Sequence, residues 1–154
     1  MNAAGTTYIQ LDPESVNITG YENMTMSFDL KSETADGNFF TVAIGQNDQK
    51  YLFLRTRENE TYTTITKGSW GAEQGASAQV NTLNKWVHID IVVTPEQLVT
   101  YMDGVPVSTV DKTILMADLG TDPIIYLGKS FYSGDKYFAG AFDNIEIYNR
   151  ARSA

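Results

Sequence analysis

The sequence predicts an all-β protein, a two-sheet antiparallel β-sandwich of the jelly-roll kind. Hydrophobic residues recur with a period of two in segment after segment, the mark of half-buried strands. Turn-forming pairs separate these segments at short intervals. No amphipathic stretch of about ten or more residues has helical spacing. Many short strands without helices bury one face each most readily by packing sheet on sheet.

Taken in chain order, residues 8–11 make a first short strand. Met24, Met26, Phe28 and Leu30 alternate with Thr25, Ser27, Asp29 and Lys31, which places one face inward and one outward. After the turn pair Asp36–Gly37 come strands over 39–44, 51–57 and 62–66, with Asn47–Asp48 as a further turn. In the 51–57 strand Leu52 and Leu54 share one face, and Tyr51, Phe53, Arg55 and Arg57 share the other. Val87, Ile89, Ile91 and Val93 alternate with Trp86, His88, Asp90 and Val92. The strand over 98–102 runs into Asp103–Gly104, a pair whose members both tolerate positive φ and so suit a two-residue hairpin. Pro106 follows; it lacks an N–H, so it belongs on a sheet edge or at a position whose N–H is not needed. Residues 113–119 allow one helical turn, and strands over 124–127 and 142–148 complete the set.

The 154 residues suit one domain, 1–154, able to bury roughly two thirds of its unfolded surface. Eleven basic against 19 acidic residues give a net charge of −8. That balance argues against nucleic acid, which demands a basic footprint, and against anionic membrane surfaces. No stretch approaches the roughly 20 apolar residues of a membrane span. Without cysteine there are no disulfides and no thiolate metal sites. The first residues read as a cloning remnant and the last, after the 142–148 strand, as a cut. A domain excised from a larger multidomain protein is expected.

Trp86-Val87-His88-Ile89 opens a strand before a hairpin; Tyr101-Met102-Asp103-Gly104, Tyr126-Leu127-Gly128, Phe138-Ala139-Gly140 and Phe142-Asp143-Asn144-Ile145-Glu146-Ile147-Tyr148 then follow in that order. This succession resembles the laminin-G-like, concanavalin A-like jelly rolls of bacterial extracellular proteins, over nearly the whole chain. Many such modules are appended to glycoside hydrolases. The resemblance implies a secreted or cell-surface bacterial protein, mostly non-catalytic relatives, and a sugar, a protein or no known ligand as the thing bound.

Catalysis is not expected. Glycoside hydrolysis needs two carboxyls facing each other across the sugar, and the acids here stand mostly in turn-like contexts. The Glu-x-Asp-x-x-Glu signature of the catalytic concanavalin-like glucanases is absent. His88, the sole histidine, is read as a structural hydrogen-bonding residue rather than a general base.

Sugar binding fits the residues better. An aromatic ring offers a flat platform to the apolar face of a sugar, and charged groups bond its hydroxyl rim. The Gly-rich loop 67–75 carries Trp70 and Glu73; Trp70 either stacks on ligand or folds back to cap the sandwich, and Glu73 is the leading hydroxyl acceptor. A second loop carries Tyr132, Asp135 and Tyr137, either as stacking platforms and acceptors or as loop anchors. Arg55 and Arg57 either grip hydroxyls or a uronate bidentately from the sheet face or pair with Glu58 and Glu60. Asp143 shares a strand parity with Ile145 and Ile147, and an inward carboxylate needs donors or a cation. Backbone amides, His88 or one structural calcium would serve, and modules of the resembled kind often hold one calcium.

The expected function is therefore a non-catalytic, monomeric carbohydrate-binding module. Its partners would be an oligo- or polysaccharide of the arabinan, xylan, fructan or galactan type and a covalently attached glycoside hydrolase. The alternative is an adhesion or protein-interaction module, or a structural wedge, of a bacterial surface protein.

Overall fold

The computed structural model describes residues 7–11, 18–35 and 39–152. Among these residues eleven strands form two antiparallel sheets. In the first, β1 (Ile9–Leu11), β10 (Ile124–Leu127), β3 (Val42–Gly45), β4 (Tyr51–Arg57), β5 (Glu60–Thr66) and β6 (Gln74–Ala78) lie side by side in that order. In the second the order is β11 (Gly140–Tyr148), β2 (Met24–Ser32), β7 (Trp86–Val93), β8 (Gln97–Met102) and β9 (Val105–Asp111). The two-sheet antiparallel sandwich expected from the alternation is what forms.

The core lies between the sheets. Met24, Met26, Phe28 and Leu30 of β2 and Val87, Ile89, Ile91 and Val93 of β7 are all buried and face Ile44, Leu52, Leu54, Ile65, Ile125 and Leu127 across the gap. Asp103 and Gly104 take φ of 50° and 82° in the two-residue turn between β8 and β9, and Pro106 lies on β9, a sheet edge. The helical turn expected within 113–119 is a 3-10 helix, Met116–Leu119. The Asp36–Gly37 turn lies outside the described residues.

Three features differ from the sequence reading. The strand expected over 39–44 begins only at Val42, and Phe39 and Phe40 ahead of it point to opposite sides. Phe39 enters the main core beside Phe138, while Phe40 stacks outward on Phe53. β6 was expected to be loop at its start, because its sequence of Gln and small residues carries no apolar alternation. Gly75 explains its docking: a Cβ there would stand 2.4 Å from Thr64 Cβ, so only a bare backbone fits against β5.

The third difference corrects the place of Asp143. Asp143 pairs with Asp29 but Glu146 pairs with Ser27, so β11 holds one residue more than β2 between these pairs. The extra residue sits beside Asn144, which has a left-handed φ of 50°. Phe142 faces the core before the bulge, and Ile145 and Ile147 face it afterwards. Asp143 is thereby turned outward. It is exposed, and its Oδ1 accepts the N–H of Asn144 (2.8 Å). The premise for a cation at Asp143, an inward carboxylate, does not hold.

Candidate functional site

On the outward face of the six-stranded sheet a second apolar cluster gathers Phe40, Ala43, Tyr51 and Phe53, with Tyr62, Tyr126, Phe131 and Tyr132 packed around it. The antiparallel register makes this cluster. Ala43 pairs with Phe53 and Tyr62 with Arg55, so these side chains share the face opposite Leu52 and Leu54. Phe40 and Phe53 lie flat on one another, centroids 3.9 Å apart and 8° from parallel. They floor a cavity of about 370 Å³, walled by Arg55, Tyr62, Trp70, Glu73, Tyr132 and Asp135.

Two loops build the walls. In the first, Thr66 Oγ1 donates to the Ser69 carbonyl (2.7 Å) and accepts the Gly68 N–H (3.1 Å), closing a tight turn. Ser69 has a left-handed φ of 65°, and a 3-10 turn over Trp70–Ala72 follows. In the second, Ser130 Oγ donates to Asp135 (2.6 Å) and accepts the Tyr132 N–H (3.0 Å). Tyr132 Oη ties the loops together. It accepts the Trp70 N–H (3.1 Å) and lies within bonding distance of the Ser69 hydroxyl (2.9 Å), the Tyr51 hydroxyl (3.0 Å) and the Asp48 carbonyl (3.1 Å).

Trp70 is held by its backbone while its indole stands 75% exposed at the rim. It does not fold back onto the sandwich. A large apolar ring left in water beside a cavity is available for stacking. Glu73 is fixed from below: its Oε1 accepts Tyr51 Oη (2.6 Å) and its Oε2 accepts Tyr62 Oη (2.8 Å). Burial first, and the Glu73 carboxylate second, push both phenols up, that of Tyr62 to about 12. They stay protonated and donate, leaving Glu73 with further lone pairs toward the cavity. Arg55 Nη2 donates to Glu60 (3.0 Å), and its guanidinium lies 5.2 Å from the Tyr62 ring centroid. Burial pushes the Glu60 carboxyl up, but bonds and charge from Arg55, Ser77 and Arg57 hold it below its ordinary value.

Of the residues singled out from sequence, the structure thus brings Trp70, Glu73, Arg55, Tyr132 and Asp135 to one cavity. Arg57 is not among its walls; it stands 3.8 Å from Glu60. Tyr137 is elsewhere, 6.0 Å from the Tyr8 ring. Phe40, Phe53 and Tyr62 were not singled out. Phe53 shares a strand parity with Arg55, which is the signal that marks it; Tyr62 meets Arg55 only through the β4–β5 register, and Phe40 gives no signal beyond standing next to Phe39.

The outward face of the other sheet carries a Ser–His–Asp series. His88 Nδ1 lies 2.8 Å from Asp29 Oδ1, and Nε2 lies 3.0 Å from Ser27 Oγ. Asn144 Nδ2 donates to the other Asp29 oxygen (2.7 Å). Asp90 Oδ2 also stands 3.4 Å from Nε2. The Asp29 hydrogen bond, against burial and with help from Asp90, raises the His88 pKa. Ser27 is itself only 4% exposed. The series ties β2, β7 and the β11 bulge together. Among the described residues no three His, Asp or Glu side chains gather to hold a metal ion.

A family model described as the concanavalin A-like lectin/glucanases superfamily, of the laminin G type, matches residues 3–154. An alpha-L-arabinofuranosidase of Bifidobacterium longum subsp. longum is 31% identical over 159 residues, a match spanning 94% of this chain but 15% of the relative's length. Domain 4 of a GH43 extracellular arabinanase from Geobacillus stearothermophilus, solved in complex with arabinotriose, superposes with a TM-score of 0.75 at 19% identity, over 98% of this chain and 69% of that one. The CBM40 of a Ruminococcus gnavus IT-sialidase, bound to alpha2,6 sialyllactose, superposes with a TM-score of 0.73 at 14% identity, over 88% of this chain and 81% of that one. At these identities the two structures share the fold.

Proposed function

The chain belongs to the concanavalin A-like lectin/glucanases superfamily, and from that premise we propose that it is a carbohydrate-binding module that does no chemistry of its own. One observation carries the reading. The exposed Trp70 indole stands over a cavity floored by stacked Phe40 and Phe53, with Glu73 and Asp135 turned to it. The rings meet the C–H face of a sugar, and the carboxylates accept its hydroxyls.

The charge of the cavity points to a neutral sugar. Arg55, its one cationic wall, is paired with Glu60, while Glu73 and Asp135 remain as acceptors. An acidic sugar would meet two carboxylates. The arabinofuranosidase relative and the arabinotriose-bound neighbour put arabinan first among the neutral polymers, ahead of xylan, fructan and galactan. The short span of the arabinofuranosidase match supports a module tethered to a glycoside hydrolase, which raises the local concentration of substrate. The likeness to a domain of an extracellular arabinanase supports export from a bacterial cell, and among the described residues no helix is long and apolar enough to cross a membrane.

Affinity electrophoresis against arabinan, arabinoxylan, fructan and galactan, with wild type and Trp70→Ala, tests this. Retardation by one neutral polymer, abolished in the variant, is expected. No retardation by any of them moves the weight to an adhesion or wedge role, for which Trp86, 53% exposed on the opposite sheet, is the natural contact.

A further inference from the structure

The outward face of the six-stranded sheet continues past the cavity toward its β1 edge. Gln10 pairs with Tyr126, Tyr126 with Ala43, and Ala43 with Phe53, so all four side chains share that face. Tyr126 and Phe53 are two strand spacings apart, roughly 10 Å. Phe131 bridges the interval, 5.2 Å from the Tyr126 ring and 6.4 Å from the Tyr51 ring. Beyond it Tyr8 meets Tyr126 edge-on at 5.5 Å, and Tyr137 lies 6.0 Å from Tyr8. Lys129 Nζ stands 4.5 Å from the Tyr126 centroid and 5.7 Å from that of Tyr8.

This group has the chemistry of a binding surface rather than of a second core. Tyr8 is 39% exposed, and Tyr126 and Tyr137 are only half-buried. Among the described residues the hydroxyls of Tyr8, Tyr126 and Tyr137 make no hydrogen bond. Burial, then the neighbouring Tyr8 and Tyr137, push the Tyr126 phenol up, so it stays a donor. Lys129 gives one bond, to the Ser130 carbonyl (3.2 Å), and its ammonium carries two more hydrogens. Flat rings, unused hydroxyls and an ammonium converge at one place, and Phe131 joins them to the cavity already described.

We propose that Tyr8, Tyr126, Tyr137 and Lys129 form a second sugar platform, continuous through Phe131 with the Trp70 cavity, so that the module holds a chain of several sugar units along the sheet. This rests on the carbohydrate-binding reading and goes further, in that a single terminal sugar would not reach both places. One ammonium on the platform, with Arg55 farther along the face paired to Glu60, disfavours a nucleic acid there in a chain of net charge −8.

Calorimetry with the oligosaccharide series of whichever polymer wild type retains, arabino-oligosaccharides first, from mono- to hexasaccharide, tests it. Wild-type affinity is expected to climb with length until both platforms are spanned. Tyr8→Ala and Lys129→Ala should each lose about 2- to 10-fold on the long members and nothing on the short ones, the range of one aromatic or cation–π contact. Trp70→Ala should weaken every length. The proposal is overturned if both edge variants bind the hexasaccharide as wild type does, or if affinity stops growing at the length the cavity alone takes. It is overturned too if sedimentation shows a wild-type dimer that Tyr8→Ala dissociates with sugar affinity unchanged, which makes the platform an interface. No binding of any sugar by wild type sinks the parent reading as well.

Discussion

Removing the Glu73 carboxylate probes how the floor of the cavity is held together. Two phenols, Tyr51 and Tyr62, donate into it at 2.6 and 2.8 Å. A hydrogen bond to a charged partner contributes about 1.5–3 kcal/mol, so two orphaned in a dry interior would cost about 3–6 kcal/mol. The cavity opens to solvent, and water can replace part of what is lost. Glu73→Ala should therefore cost about 2–3 kcal/mol, at or below the lower limit of that range. For a chain of this size each kcal/mol moves the melting temperature by about 2–4 °C, so a fall of about 4–12 °C is expected. The Tyr62 phenol, held at about 12 by burial and then by Glu73, should titrate lower in the variant without reaching an ordinary tyrosine value, because the burial remains. Thermal melts give the first quantity. Ultraviolet titration of wild type against Tyr62→Phe, repeated in the Glu73→Ala background, gives the second. An unmoved melting temperature with an unmoved phenol would refute the claim that this carboxylate organises the floor.

Three further outcomes follow from the geometry. The raised His88 and the Asp29 lowered by Asn144 and His88 make a pH-dependent staple. The histidine's share is fully present below its ordinary value of about 6.5 and lost as pH climbs through its raised folded value; the carboxylate's share is lost as pH falls through its depressed one, below about 4. Melting temperature against pH should flatten on the alkaline side in His88→Gln, and an unchanged alkaline slope contradicts the pairing. Gly75→Ala drives a Cβ to 2.4 Å from Thr64 Cβ. It should cost about 1–3 kcal/mol and weaken sugar binding by shifting the adjacent Glu73, and wild-type melting would contradict it. Asp143→Asn, whose carboxylate meets its own neighbour's N–H, should melt like wild type both in calcium and in a chelator; a chelator-sensitive drop only in wild type would place a cation there after all.

The sandwich was legible because β2 and most of β7 alternate apolar with polar residues, which sets one apolar face of each toward the other sheet. β6 was not, because Gln74, Gly75, Ala76, Ser77 and Ala78 carry no large apolar side chain, and their docking is a matter of what Gly75 lacks. Parity misplaced Asp143, because counting by twos holds only until a residue is inserted, and the left-handed Asn144 inserts one. The site shows the same limit. Strand parity found the Tyr51, Phe53 and Arg55 face but not that loops cover it. Tyr132 reaches Tyr51 from 81 residues away, a contact that no local pattern encodes. The composition of the 67–75 loop marked Trp70 and Glu73, but only the pinning of Ser69 and Trp70 by Tyr132 decides between an outward indole and a folded-back one.

The chain has two tryptophans, so Trp86→Phe leaves Trp70 as the single indole reporter at the cavity. Titrating that variant with arabinan and arabino-oligosaccharides while following tryptophan emission tests the central claim directly. A saturable blue shift is expected, as the exposed indole leaves water for the face of a sugar. Emission that stays put while electrophoresis shows the polymer binding would move the site away from Trp70, and emission unmoved by any neutral polymer, with no retardation, would contradict the carbohydrate-binding account itself.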